Sequence, residues 1–296
     1  MSDSPAKKSC LPPDPHTRTP TFRAPPNSCD AHCHVFGPKD RFPYHPTSTY
    51  EPPDAGKDRL KQLHATLGIE RAVIVQASCH GTDNRAMLDA IATSNGAYRG
   101  VCIARSTFND DDFAQLDAGG VRGVRFNFVT HLGGTPNLDA MTDILRRVKP
   151  LGWHLIIHVN AEDLLKFEDF FSAIDMEIIV DHMGRVPCDQ GTGQAAFQVL
   201  KRFMQRENWW CKVCGAERIS RAGPPFTDAV PFARELIALA PDRILWGTDF
   251  PHPNITRWMP NDGDLLDLLP QFTDGDAGLL QRILVDNPAR LYGFDD

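Results

Sequence analysis

The chain has 296 residues with 42% apolar and 23% charged side chains, ordinary values for a soluble protein with material for a sizeable core. A formal net charge of −7 gives no global field that would draw nucleic acid or an anionic membrane, so an anionic ligand must be met by local arginines. No apolar run approaches the ~20 residues of a membrane span, and no basic-then-apolar leader opens the chain; together these predict a cytoplasmic protein.

Residues 1–28 hold seven prolines and few aliphatics, which predicts an extended proline-rich arm. From 29 to 296 short β-branched runs alternate with amphipathic stretches. The runs are DAHCHVF (30–36), AVIVQAS (72–78), GVCIAR (100–105), GVRFNF (123–128), WHLIIHVN (153–160), MEIIVDH (176–182), WWCKVCG (209–215) and RILWGTD (243–249). Between them, stretches such as NRAMLDAIATS, LDAMTDILRRV and VPFARELIALA place apolar residues at helical spacing. Eight strand–helix units predict an α/β fold, a single (β/α)8 TIM-type barrel over 29–296. A doubly wound open sheet is the alternative, but its G-x-G-x-x-G turn is missing. The eight cysteines fall largely inside apolar runs, and Cys211 and Cys214 match C-x-x-C within a predicted strand, with no second pair to complete a zinc site.

In such a barrel the chemistry sits at the C-terminal ends of the strands. The ionisable residues collect there: His32 and His34, Ser78 and His80, Arg125, His158, His182 and Arg185, Arg218, then Asp249 and His252. Residues two apart on a strand point the same way, so His32 and His34 converge on one point, as a metal ion or a polarised carbonyl requires. Each has a plainer role to weigh. Asp249 can cap the next helix, Arg125 and Arg218 can be salt-bridge partners, and His80 can orient Tyr50 or a loop. Arg122 and His252 read as structural, and strand alternation puts Asp181 on the face opposite His182, bonding a neighbouring element.

The segments DAHCHVFGP, VIVQASCHGTDN, VRGVRFNF, IVDHMGR and WGTDFPHPN resemble the amidohydrolase (metallo-dependent hydrolase) superfamily, and within it the lactonase group of 2-pyrone-4,6-dicarboxylate hydrolase and 4-sulfomuconolactone hydrolase. The likeness covers nearly the whole chain beyond the arm. It implies hydrolysis of an anionic lactone in aromatic-compound catabolism, with Asp249 as general base and His32, His34 and His182 polarising the lactone carbonyl. Tyr50, Ser78, His80, Arg125, Arg185 and Arg218 would hold anionic groups. The group's pattern carries a second arginine where this chain reads Thr130-His131, and a tyrosine where it has His158. His131 and His158 are therefore candidate substrate contacts.

The changed anion pocket favours 4-sulfomuconolactone over the pyrone dicarboxylate, which would open to 4-oxalomesaconate. Opening the sulfolactone leaves hydroxyl and sulfonate on one carbon, a bisulfite adduct that expels sulfite and yields maleylacetate. The resemblance favours no cofactor; if zinc is held, its ligands are His32, His34, His158, His182 and Asp249. A metal-dependent decarboxylase of the same superfamily and a non-catalytic binding barrel are the remaining alternatives. The expected partner is a small anionic lactone, in a monomer or small homo-oligomer.

Overall fold

Each predicted run supplies one strand, in order. A computed structural model describes residues 7–294, with β1 (Cys29–Cys33), β2 (Arg71–Val75), β3 (Tyr98–Cys102), β4 (Val121–Asn127), β5 (His154–His158), β6 (Ile178–Val180), β7 (Trp209–Lys212) and β8 (Ile244–Leu245). Neighbouring strands pair in parallel and in sequence order from β1 to β8. The first and last strands are joined by the Ala31 amide donating to the Trp246 carbonyl at 2.8 Å, with Asp249 N–H on His32 O and His34 N–H on Phe250 O, both at 2.7 Å. Closure needs Gly247: a Cβ there would lie 2.4 Å from the His32 amide nitrogen. The result is a (β/α)8 barrel.

Side chains alternate across each strand, so the sheet feeds two cores. Inside the barrel lie Cys29, Ala31, Val73, Val75, Val101, Ile156, Ile179, Trp210 and Leu245, and Tyr292 and Phe294 from the chain's end join this cluster. Outside, the sheet packs against the helices. The helix Leu138–Val148 shows why they form: Met141, Ile144, Leu145 and Val148 make one buried stripe, Asn137 caps the first turn through Ala140 N–H, and Arg146 and Arg147 sit in the last turn.

The strands are shorter than the apolar runs at their C-terminal ends, most clearly at β6 and β8. There the chain leaves the ladder for tight turns, and the polar residues of the run sit in those turns. Of the proline-rich arm, residues 1–6 lie outside the described residues. The remainder is strapped to the body: Lys8–Ser9 pairs in parallel with Tyr50–Glu51, and Asp267 accepts from the amides of Thr21 and Phe22 at 3.0 and 2.7 Å and from Arg18 at 2.6 Å. Among the described residues no helix is long and apolar enough to cross a membrane.

Candidate active site

The strand-end residues are aimed by local departures from regular structure. The β1–β2 register shifts between Asp30 and Cys33, so Ala31 joins the inner core while the next residue, His32, also turns inward. A bulge that re-aims one side chain is a common feature at barrel rims. On β4 and β5, Asn127 stands beside His158 and Arg125 beside Ile156. After β6 the backbone turns left-handed at His182, Met183 and Gly184 (φ 52, 51 and 65°). Gly215, itself at φ +75°, makes room for His182, because a Cβ there would meet its Nδ1 at 2.7 Å. Asp249 also takes a positive φ, 63°, which Asp tolerates better than most residues.

These turns bring the imidazoles around one carboxylate. Asp249 Oδ1 lies 3.2 Å from His34 Nε2 and 3.5 Å from His32 Nε2, and its Oδ2 lies 3.9 Å from His182 Nε2. Arg218 binds Asp249 Oδ2 through Nε and Nη2, and donates Nη1–H to the Pro253 carbonyl at 3.1 Å. The ring centroids of His32 and His182 are 4.7 Å apart, and those of His158 and His182 5.5 Å. Beneath lies a second charged cluster. Lys212 Nζ is 3.0 Å from His32 Nδ1 and 3.2 Å from Asp181 Oδ1, while Arg125 Nε donates to Asp181 Oδ2 at 2.8 Å.

Burial sets the charge states. Desolvation lowers His32 and His131 to about 4 and pushes His158 and His182 well below the ordinary histidine value. These rings are neutral at pH 7, each with one N–H to donate and one lone pair. For Asp249, burial alone would raise the pKa, but Arg218 first and then the surrounding histidines outweigh it and hold the carboxyl well below its usual range. Asp181 is likewise held low, against burial, by His32, Lys212 and Arg125. Arg185 falls to about 10 through burial and the nearby Arg218 cation.

Nine of the expected residues line one small pocket of about 20 Å3: His34, Tyr50, Ser78, Arg125, His131, His158, His182, Arg218 and Asp249. His32 lies beside them, fully buried, with its Nε2 lacking any hydrogen-bond partner among the described residues. Arg185 is placed elsewhere, lining two outer cavities of about 170 and 500 Å3 together with Arg218 and Arg221. The structure does not bring His80 to the pocket. Its Nε2 accepts from Gly37 N–H at 3.1 Å and its Nδ1 faces the Pro43 carbonyl at 3.3 Å, so it braces a loop.

The pair Asp181 and His182 corrects the sequence reading in part. Asp181 bonds neighbouring strands as expected and follows the alternation inward from Ile179, joining His32 at the barrel's centre. However, β6 ends at Val180, and the left-handed turn beyond it brings His182 to the same side and not to the opposite face. Sequence reasoning also passed over Lys212, although a lysine within WWCKVC, two residues from the inward-facing Trp210, is a visible anomaly in a buried strand.

Whether this set suits a metal ion turns on its protons. His32, His34 and Asp249 each offer an atom within 4.8 Å of the others. His34 fits, since its Nδ1 meets the Val75 carbonyl at 2.7 Å and leaves Nε2 towards Asp249. His158 fits too: Nδ1 meets Asn127 Oδ1 at 2.9 Å, and Nε2 has no partner among the described residues. His32 does not. Its Nδ1 lies 3.0 Å from the Lys212 ammonium, which has only donors, and 3.1 Å from Asp181 Oδ1; accepting from Lys212 puts the proton of the neutral ring on Nε2, where a ligand lone pair would be needed. Asp249 Oδ2 is already taken by Arg218. As a whole the set does not fit a metal.

An eight-stranded parallel barrel with histidines and an aspartate gathered at its strand ends is the architecture of a hydrolytic barrel enzyme. The chain belongs to the amidohydrolase family, whose model matches residues 29–294. It is 45% identical over 282 residues to the 2-pyrone-4,6-dicarboxylate hydrolase of Comamonas testosteroni, covering 92% of each chain. It is 38% identical over 299 residues to the 4-sulfomuconolactone hydrolase of Rhizobium radiobacter, covering 98% of this chain and 99% of that one. A solved apo structure from Agrobacterium tumefaciens superposes with a TM-score of 0.83 at 28% identity, covering 93% of this chain and 99% of the other.

Proposed function

We propose that this chain hydrolyses a small anionic lactone, with Asp249 as general base and no metal in the reaction. The observation that carries this is the buried Asp249 carboxylate, flanked by three imidazoles and an arginine at the edge of a pocket that also holds Arg125 and Ser78. The two relatives named above are both lactone hydrolases by name, which supports the same class.

In the resting geometry Arg218 holds Asp249 too acidic to be an effective base. Arg218 also lines the outer cavities, so an anionic substituent of the lactone competes for its guanidinium and frees the carboxylate. Asp249 then takes a proton from water as the oxygen attacks the lactone carbonyl. A histidine N–H, that of His32 Nε2, meets the developing oxyanion. The ring C–O bond breaks, and the proton on Asp249 passes to the leaving oxygen. Since a pocket of about 20 Å3 holds little more than a water, entry of the lactone also requires its lining to open. The short turn Thr130–Leu132, which contributes His131 and Leu132 to that lining, is one segment whose shift would do so.

For the anionic group we favour the sulfonate of 4-sulfomuconolactone. His131 is neutral at pH 7 and offers one N–H where an arginine fork would grip a planar carboxylate. A charge-assisted hydrogen bond is typically worth ~1.5–3 kcal/mol, so its loss lowers selectivity for a dicarboxylate by about ten- to a hundredfold. A sulfonate has three oxygens and accepts from scattered donors. The pyrone dicarboxylate is the second reading, favoured by the 45% identity to a hydrolase of that compound.

Measuring kcat/KM on both lactones, with sulfite release followed for the first, decides between them; a clear preference for the pyrone ends the sulfonate reading, and turnover of neither ends the lactonase reading. Activity is expected to survive exhaustive chelation. Loss on chelation with recovery on zinc would overturn the metal-free mechanism.

A further inference from the structure

We propose that Lys212 is a positioning residue for the reaction: its ammonium donates to His32 Nδ1, fixing that ring with its proton on Nε2, as a hydrogen-bond donor to the substrate's oxyanion and not as a metal ligand. This rests on the metal-free lactonase reading and names the group that enforces it.

Two neighbours compete for His32 Nδ1. Asp181 Oδ1 lies 3.1 Å away and would favour a proton on Nδ1, whereas Lys212 Nζ, at 3.0 Å, favours a lone pair there. Alignment decides. Asp181 Oδ1 has no hydrogen bond of acceptable geometry among the described residues, but the Lys212 contact is a hydrogen bond. Asp181 therefore acts as the counter-charge that keeps an ammonium in place at 0% side-chain exposure, and Arg125 closes its other oxygen.

Moving one proton across the ring changes what His32 can do. With the proton on Nε2, that atom faces the reaction centre as a donor, 3.5 Å from Asp249 Oδ1, with no partner among the described residues that satisfies it. A buried donor left unsatisfied costs free energy until a ligand oxygen meets it. With the proton on Nδ1, Nε2 becomes a lone pair beside those of His34 and Asp249, repelling an oxyanion and inviting a cation.

Selective nitrogen NMR of histidine-labelled enzyme reads the tautomer directly, the His32 signal being assigned by its loss in His32→Gln. The wild type should show His32 protonated on Nε2. In Lys212→Met the proton should move to Nδ1, and kcat should fall about 10–100-fold, the scale for groups that orient an active-site histidine, while KM stays within about threefold. Zinc affinity, by equilibrium dialysis of the metal alone, should rise at least about tenfold.

A wild-type His32 protonated on Nδ1 overturns the assignment without any variant. So does a Lys212→Met enzyme that folds yet keeps the Nε2 tautomer or full kcat, or that gains no zinc affinity. A wild-type Nε2 proton in an enzyme inactivated by chelation would leave the assignment of Lys212 standing and sink the metal-free mechanism instead.

Discussion

Replacing Asp249 by asparagine is expected to leave the barrel folded and to lower kcat by about 10²–10⁴, the range for loss of a general base. Asparagine keeps the shape and an oxygen for Arg218, and the backbone bond from residue 249 N–H to the His32 carbonyl at 2.7 Å does not involve the side chain. What disappears is, among the described residues, the one carboxylate that lines the pocket, and it lies within reach of three imidazoles. The loss of charge beside Arg218 is cushioned by Glu217, whose Oε1 is 3.6 Å from Arg218 Nε. Glu217 is itself pushed up by burial, with Arg218 and His252 opposing, and the Asp249 charge adds to the rise; neutralising Asp249 removes that contribution and favours the Glu217 carboxylate beside the arginine. Steady-state kinetics on a variant with an unchanged circular dichroism spectrum makes the check. Near-normal turnover in such a variant would remove Asp249 from the mechanism.

Much of this site could be read from the sequence because a barrel converts strand order into spatial adjacency. The His32–His34 pair, His158 and Asp249 are far apart in the chain, yet each lies at or just beyond the end of a strand, so their convergence follows from the fold alone. Two kinds of information were not legible. One is where strands stop: the left-handed turn after Val180 puts Asp181 and His182 on the same side, which strand alternation does not anticipate. The other is which way a polar side chain looks from inside an apolar run. Lys212 sits among Trp209, Trp210 and Cys211 with the composition of a buried strand, and only the three-dimensional neighbours Asp181 and His32 show why a lysine is tolerated there. His80 marks a third limit. Its place next to the pocket residue Ser78 is shared, but the turn Ser78–His80 carries its ring outward to Gly37 and Pro43.

The Asp181 cluster makes the largest stability prediction. Asp181→Leu removes the carboxylate between Lys212 and Arg125, whose side chains are 0% and 3% exposed, and leaves two buried cations without a counter-charge. Breaking a buried ion pair from one side typically costs about 3–5 kcal/mol, more than the pair itself contributes, because the remaining charge has no water to solvate it. Surface pairs in this chain, such as Arg146–Asp143 with both side chains well exposed, should cost under about 1 kcal/mol by the same substitution. In urea the midpoint for Asp181→Leu should fall sharply with little change in slope, since the native surface is preserved. Adding Lys212→Met to Asp181→Leu removes one of the stranded cations and should recover a substantial part of the loss, so the two substitutions should be strongly non-additive. A single Asp181→Leu variant no less stable than Asp143→Leu would mean that Asp181 does not bear the counter-charge at the barrel's centre.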